Sequence, residues 1–282
     1  MWTNFHTHNN YCDGKGTLEE YVKLAKAKKM LGLGFSSHAP LPFPRSWCMK
    51  PEDLPSYLRD IALLKSTTPE IEIYTSLEID FIPGIISPDQ YNDQLDYTIG
   101  SIHFVENLSN GTPWEIDGPH ALFLEGLENI FHGEIREAII RYFELTREMI
   151  EQSNPTIIGH LDKIKIQNPG MKFWNEQDQW YQLEIAKTID LIADSNAIVE
   201  VNTRGIYQQK SLTTYPSPWV LELVHKKNIP ITLSSDAHHP NDIINQFPET
   251  ARLLLDIGFK SITIPNEGNW RPFLFNTHGI IH

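Results

Sequence analysis

The sequence predicts an α/β fold of βα units arranged around a parallel sheet. Three observations carry that expectation. Short β-type runs alternate with amphipathic helical stretches along most of the chain. The composition is core-forming, with 40% hydrophobic and 11% aromatic residues. The 282 residues show no internal repeat, no low-complexity tract and no composition break, so one α/β domain can take up residues 1–282.

The elements follow in order. A first short strand ends at Phe5-His6. Thr17 and Glu20 stand at capping-box spacing, so a helix is expected over 18–30, stopped by Gly32 and Gly34. Strands are expected over 33–37, 71–77, 97–102, 156–159, 198–201 and 231–235, with a weaker one over 261–264. Helices are expected over 51–65, 134–152, 179–195, 216–227 and 249–257. In the second of these, Ile139, Ile140, Phe143 and Met149 fall at helical spacing. The least regular stretch, 106–133, contains Gly111, Pro113, Gly118 and Pro119 and reads as a lid-like insertion after the fourth strand. A smaller excursion, 39–51, carries four prolines after the second strand.

Composition also excludes partners. A formal charge of −13 leaves nothing to neutralise phosphates over a broad surface, which argues against nucleic acid or an anionic membrane. No run of about 18 apolar residues is present to span a bilayer. The start, Met1-Trp2-Thr3-Asn4-Phe5-His6, has neither a basic stretch nor an apolar signal core. Only Cys12 and Cys48 are present; one disulfide could form, but a reducing cytoplasm is the simpler expectation.

The chemistry lies where the expected strands stop. In order, their ends carry His6-Thr7-His8, His38, Glu78-Ile79-Asp80, His103, His160-Leu161-Asp162, Glu200-Val201-Asn202 and Asp236-Ala237-His238-His239. A single strand-end histidine is ordinarily a capped or solvated side chain. Seven successive ends bearing His, Asp or Glu point instead to a shared site, because barrel enzymes gather their C-terminal strand ends on one face. Imidazole and carboxylate without thiolate suit Zn, Mn, Fe or Co. A spacing of two puts His6 and His8, and likewise Asp236 and His238, on one side of an extended chain. The donors are too many for one four-coordinate ion, so two or three divalent ions are expected, with Glu78 bridging. Glu200 is weaker, since Val199 and Val201 set it on the opposite face, and Asn202 reads equally as a cap or a hydrogen-bonding support. His120, His132, His225, His278 and His282 follow no such pattern and read as surface or lid histidines.

Paired ions lower the pKa of a bridging water to roughly 7 and draw in phosphate oxygens, so phosphoester hydrolysis is the reaction that uses every part; metallo-amidohydrolysis is the nearest chemical rival. Among basic residues beside strand ends, Arg204 is the first candidate for gripping phosphate. Lys163 and Arg45 are further candidates, although a solvated role is the simpler reading of each. Asp162 and His239 are candidates to protonate a leaving alkoxide.

These residues resemble a known family. His6-Thr7-His8, Asp13-Gly14, Ser37-His38-Ala39-Pro40, Glu78, Ser101-Ile102-His103, Gly159-His160-Leu161-Asp162 and Ser235-Asp236-Ala237-His238 match, in order, the motifs of the PHP (polymerase and histidinol phosphatase) superfamily. Within it the chain is similar to the monofunctional histidinol-phosphatases, through its size, the His-Ala-Pro, and Ser-Ile-His-Phe followed by Trp114-Glu115-Ile116-Asp117-Gly118. The resemblance implies a distorted (β/α)7 TIM-like barrel and a trinuclear centre. It implies that His6, His8, Glu78 and Asp236 hold one ion, Glu78, His103 and His160 a second, and Asp13, His38 and His238 a third. It also implies hydrolysis of L-histidinol phosphate in histidine biosynthesis. Asp117 in the insertion reads equally as a partner for the substrate's ammonium group or as a surface carboxylate of the lid. The alternatives are a PHP phosphoesterase for another small ester or nucleotide, and a non-catalytic metal-binding module.

Overall fold

The computed structural model describes residues 1–281. Three strands, β1 (Thr3–Asn4), β2 (Gly32–Phe35) and β3 (Glu72–Thr75), form a parallel sheet in that order. The chain then opens a second sheet with β4 (Glu78–Asp80) and β5 (Ile99–Ser101), leaves it through an antiparallel hairpin, β6 (Phe104–Asn107) and β7 (Pro113–Glu115), and returns as β8 (Ile157–Ile158), β9 (Ile198–Asn202) and β10 (Ile231–Ser234). That sheet is parallel throughout, in the order β10-β9-β8-β5-β4. Two isolated parallel bridges join the sheets, Thr7 with Ala237 and His38 with Glu78. The backbone of His8 donates to Ala237 O at 2.8 Å, and that of Ala39 to Glu78 O at 2.8 Å.

Among the described residues eight α-helices accompany the strands: α1 (Leu18–Ala27), α2 (Leu54–Thr67), α3 (His120–Phe131), α4 (Ile135–Ser153), α5 (Gln179–Ala193), α6 (Arg204–Tyr207), α7 (Pro218–Lys226) and α8 (Phe247–Ile257). The capping box at α1 forms as expected: the Thr17 hydroxyl accepts from the Glu20 backbone and the Glu20 carboxylate from the Thr17 backbone. One apolar cluster packs Tyr142, Phe143, Tyr181 and Ile189 of α4 and α5 against Ile157, Val199, Val201 and Leu233. A second packs Tyr21, Tyr57 and Ile61 of α1 and α2 against Leu33, Phe35 and Ile73. Val199 and Val201 thus face the helices, and alternation turns Glu200 to the other side of β9, away from them.

Three expectations need correction. Glu78 does not end the third strand; it opens β4 in the second sheet, because the ladder of β3 stops at Thr75. The 106–133 excursion is largely regular, holding the β6–β7 hairpin and α3, with Trp114 stacked on Phe123 at 5.2 Å. The weak strand at 261–264 is the first of an antiparallel C-terminal unit, β11 (Ser261–Asn266), β12 (Asn269–Asn276) and β13 (Gly279–Ile280). Its turn carries Glu267 and Gly268 at positive φ, which fits a tight hairpin. His282 lies outside the described residues.

Candidate metal centre

The bridges that join the sheets also bring the strand ends together. Glu78 lies at the centre, 1% exposed, with five imidazoles around its carboxylate. Its Oε2 stands 3.3 Å from His6 Nε2, 3.4 Å from His8 Nε2 and 3.0 Å from His38 Nδ1. Its Oε1 stands 2.7 Å from His160 Nε2 and 3.5 Å from His103 Nε2, and accepts from the Ser101 hydroxyl. Asp236 faces the same space, with Oδ1 3.2 Å from His8 Nε2 and 3.8 Å from His6 Nε2. It holds φ +50°, a region that aspartate tolerates better than most residues. Asp13 approaches His238 Nε2 at 3.2 Å and His38 Nε2 at 3.8 Å. Gly14 beside it is required by space: a Cβ there would come within 2.2 Å of His8 O.

Ligand-type atoms fall into three groups, each within 4.8 Å: His6, His8 and Asp236; His8, Asp13, His38 and His238; and His38, Glu78 and His103. The first holds three of the four residues implied for one ion, and the second all three implied for another. The last contains His38 where the resemblance implies His160, although His160 Nε2 touches the same carboxylate oxygen as His103.

The ring orientations are fixed from behind. Glu200 takes the Nδ1 hydrogen of His6 at 2.6 Å and the backbone N–H of His160 at 2.7 Å. Asp80 takes the Nδ1 hydrogen of His103 at 3.0 Å. Both contacts leave Nε2 lone pairs aimed inward. Cys12 Sγ lies 3.6 Å from His8 Nδ1. Asn202 ties the layer together: its amide donates to Glu200 and Asp236, and its Oδ1 accepts from the Arg204 backbone. It is thus a hydrogen-bonding support as well as a cap.

Electrostatics match this picture. Burial opposes the charge on Glu78, but His6, His38 and His103 outweigh it and hold the carboxyl well below its ordinary range. Burial likewise opposes protonation of His6, yet Glu200, Asp236 and Glu78 raise it well above an ordinary histidine. His103 is pushed up to about 9, Asp80 overcoming burial. His8 is driven down by burial and by its neighbours His238 and His38. Five converging atoms, His6 Nε2, His8 Nε2, His38 Nδ1, Glu78 Oε2 and Asp236 Oδ1, are buried with no hydrogen-bond partner. Buried donors and acceptors are costly unless paired, and these are electron-pair donors of the kind that divalent cations bind. The residues fit such ions.

A cleft opens over this cluster. Its lining includes Trp47, Glu115, Asp117, Lys163, Arg204, Lys210 and Tyr215. Arg204 donates to Asp236 O at 2.8 Å and lies 2.6 Å from His238 Nδ1. Lys163 Nζ is 3.3 and 3.4 Å from the Nε2 atoms of His103 and His160. Burial, Arg204 and Lys163 together lower the pKa of Lys210.

Several candidates are placed differently from the expectation. Asp162 is fully buried, its Oδ2 taken by Lys165 and the Ser217 backbone, and it does not line the cleft, so it is not placed to protonate a leaving group. His239 is exposed on another surface beside Lys23 and Asn241; next to His238 in sequence, it turns to the opposite side. Asp117 is committed to Lys163 at 2.9 Å, and burial is outweighed by that lysine, which holds its carboxyl low. Lys163, expected to be solvated, is instead buried at the cluster. Arg45 packs over Phe43 and Phe104, outside the cleft. Among the unpatterned histidines, His120 bonds Gln167, His132 caps α3, His225 packs on Phe259 and His278 is exposed. Glu200, Asp80, Trp47, Glu115, Lys210 and Tyr215 are not among the site residues that the sequence singles out; the strand-end positions of Glu200 and Asp80, and the motif that contains Glu115, carry the signal there is.

The PHP domain model matches residues 4–204, a span that reaches from β1 to the start of α6. The chain belongs to the PHP domain family. A probable histidinol-phosphatase from Deinococcus radiodurans is 28% identical to this PHP chain over 92% of it and 94% of the relative. A provisionally named histidinol phosphatase from Listeria monocytogenes has a crystal structure with TM-score 0.76 at 21% identity, covering 88% of this chain and 99% of that one. The histidinol phosphate phosphatase of Lactococcus lactis, crystallised with Zn, L-histidinol and phosphate, gives TM-score 0.68 at 19% identity, covering 100% and 99%. The two solved structures share the fold of this chain, an α/β fold with parallel sheets. No helix among the described residues is long and apolar enough to cross a membrane.

Proposed function

We propose that the chain is a metal-dependent phosphomonoesterase that hydrolyses L-histidinol phosphate to L-histidinol and phosphate. The observation that carries this is the adjacency of two environments: a cage of unpaired imidazole and carboxylate atoms around Glu78, and a cleft beside it lined by Lys163, Arg204 and Lys210, of which Lys163 reaches His103 and His160 and Arg204 reaches His238. The first suits divalent cations and the second a phosphate dianion. The names of the relatives agree with that chemistry.

In this reading the two bridged sheets form a distorted (β/α)7 barrel in one domain, and the 104–131 excursion walls its mouth. Two or three ions, of Zn, Mn or Fe, would be held by His6, His8, Glu78 and Asp236, by Glu78, His103 and His160, and by Asp13, His38 and His238. Ions bound there supply Lewis acidity, acidifying water and neutralising phosphate charge. The chain's own residues do the rest. Glu200 and Asp80 hold His6 and His103 with Nε2 inward. Arg204, planar and always charged, grips phosphate oxygens, and Lys163 adds a point charge steadied by Asp117. The same reading makes this a cytoplasmic enzyme of histidine biosynthesis acting on a small ester rather than nucleic acid.

The test is a phosphate-release assay with added Zn²⁺ or Mn²⁺, comparing L-histidinol phosphate, mononucleotides and single-stranded DNA. Release from histidinol phosphate with little from the others is expected. A preference for nucleotides would replace this substrate by another of the same class, and no release from any would remove the enzymatic reading.

A further inference from the structure

The cleft contains an acidic, aromatic corner that the phosphate chemistry leaves unused. Trp47, from the loop after β2, and Glu115, from β7, meet where the Trp47 indole N–H donates to Glu115 Oε2 at 3.3 Å. Trp47 packs its ring on Phe104 at 5.9 Å and edge-on to His38 at 4.6 Å, so it abuts the caged cluster directly. The other cleft carboxylates are committed: Asp13 and Asp236 to histidines, Asp117 to Lys163 at 2.9 Å. Among the described residues, the cations that act on Glu115 are His103 and Arg45, the latter 3.8 Å away with its other nitrogens on the backbone oxygens of Pro44 and Pro113. Burial and the charge of Asp117 push the Glu115 carboxyl above its ordinary range. Its closest hydrogen-bond partner is the neutral Trp47 indole, in a cleft that also contains Lys163, Arg204 and Lys210.

We infer that Trp47 and Glu115 form an organic-cation subsite that selects phosphate monoesters carrying an ammonium or imidazolium group. An indole beside a carboxylate is the recognition chemistry for such a cation. The same cleft holds Lys163, Arg204 and Lys210 for the phosphate, so it offers partners for both charges of a zwitterionic ester. The same carboxylate repels a second phosphate, which sets such esters apart from nucleoside di- and triphosphates. The inference rests on the phosphatase reading and deepens it.

The experiment compares kcat and KM for two esters of similar size, histidinol phosphate and phenyl phosphate, in the wild-type chain, E115Q and Trp47→Leu. Losing one charge-assisted contact of about 1.5–3 kcal/mol corresponds to roughly 10–100-fold. The ratio of kcat/KM for the cationic over the neutral ester is expected to fall by that factor in E115Q, mainly through KM, and by a smaller factor in Trp47→Leu. An unchanged ratio, or an equal loss on both esters, overturns the subsite. Calorimetry with phosphate-free histidinol gives a readout without turnover: weaker binding to E115Q is expected, and equal binding to both proteins overturns the subsite. A wild-type chain that binds histidinol yet releases phosphate from neither ester overturns the phosphatase reading and leaves the subsite standing.

Discussion

The caged cluster and the wall above it are built in different ways. Around Glu78, His6, His8, Glu78, His103, His160 and Asp236 are each at most 2% exposed, and the parallel ladders of two bridged sheets set their positions. The wall takes Trp47 from one loop, Glu115 and Asp117 from the hairpin and the turn after it, and Lys163 from the turn after β8. The first region is rigid by construction, with Glu200 behind His6 and Asp80 behind His103. The second is held by a few side-chain contacts, chiefly Asp117–Lys163 and Trp47–Glu115. Chemistry placed on strand ends and selectivity placed on excursions can therefore vary independently.

That contrast can be broken experimentally, starting where the largest effect is expected. Glu78→Ala removes the carboxylate facing all five imidazoles, and kcat/KM should fall by roughly 10³-fold or more, with metal lost as well. A variant with near-normal turnover would show that the cluster is not the catalytic centre. Next in size, Glu200→Gln keeps the volume but weakens the hold on both His6 and the His160 backbone. Metal affinity measured against a chelator should drop roughly 10–100-fold, with turnover recovering at high metal concentration. An unchanged affinity would make Glu200 a packing residue only. Arg204→Ala should cost roughly 10–100-fold in kcat/KM with metal content retained, since one charged contact to phosphate is removed. Loss of metal instead would assign Arg204 to supporting His238. The smallest effect belongs to His239→Ala: turnover within about twofold of wild type, as for a surface substitution away from special features. A large loss there would mean that His239 reaches the cleft after all.

The two regions were also unequally legible. Strand-end residues stood out because β-type runs stop at His, Asp or Glu, and the ladders then carry those residues to one place. Glu200 was discounted although it faces the cluster. All five residues of β9 are buried, so Val199 and Val201 mark the helix-packed face and not the face away from the site. Asp162 and His239 lie away from the cleft for a related reason. Each lies within two residues of a cluster histidine, but turn geometry sends one to Lys165 and Ser217 and the other to the surface. Nothing in the sequence joins Trp47 to Glu115, since 68 positions separate them, and the motif that contains Glu115 points to the family and not to that contact. The regular hairpin and helix inside 104–131 were hidden by glycines and prolines at their turns.

The central claim is that strand-end imidazoles and carboxylates cage divalent cations. Elemental analysis of the purified chain, dialysed and reloaded with Zn²⁺ or Mn²⁺, tests it most directly. Two or three tightly held ions per wild-type chain, and fewer in Glu78→Ala, is the predicted result; a wild-type chain that retains none would contradict it.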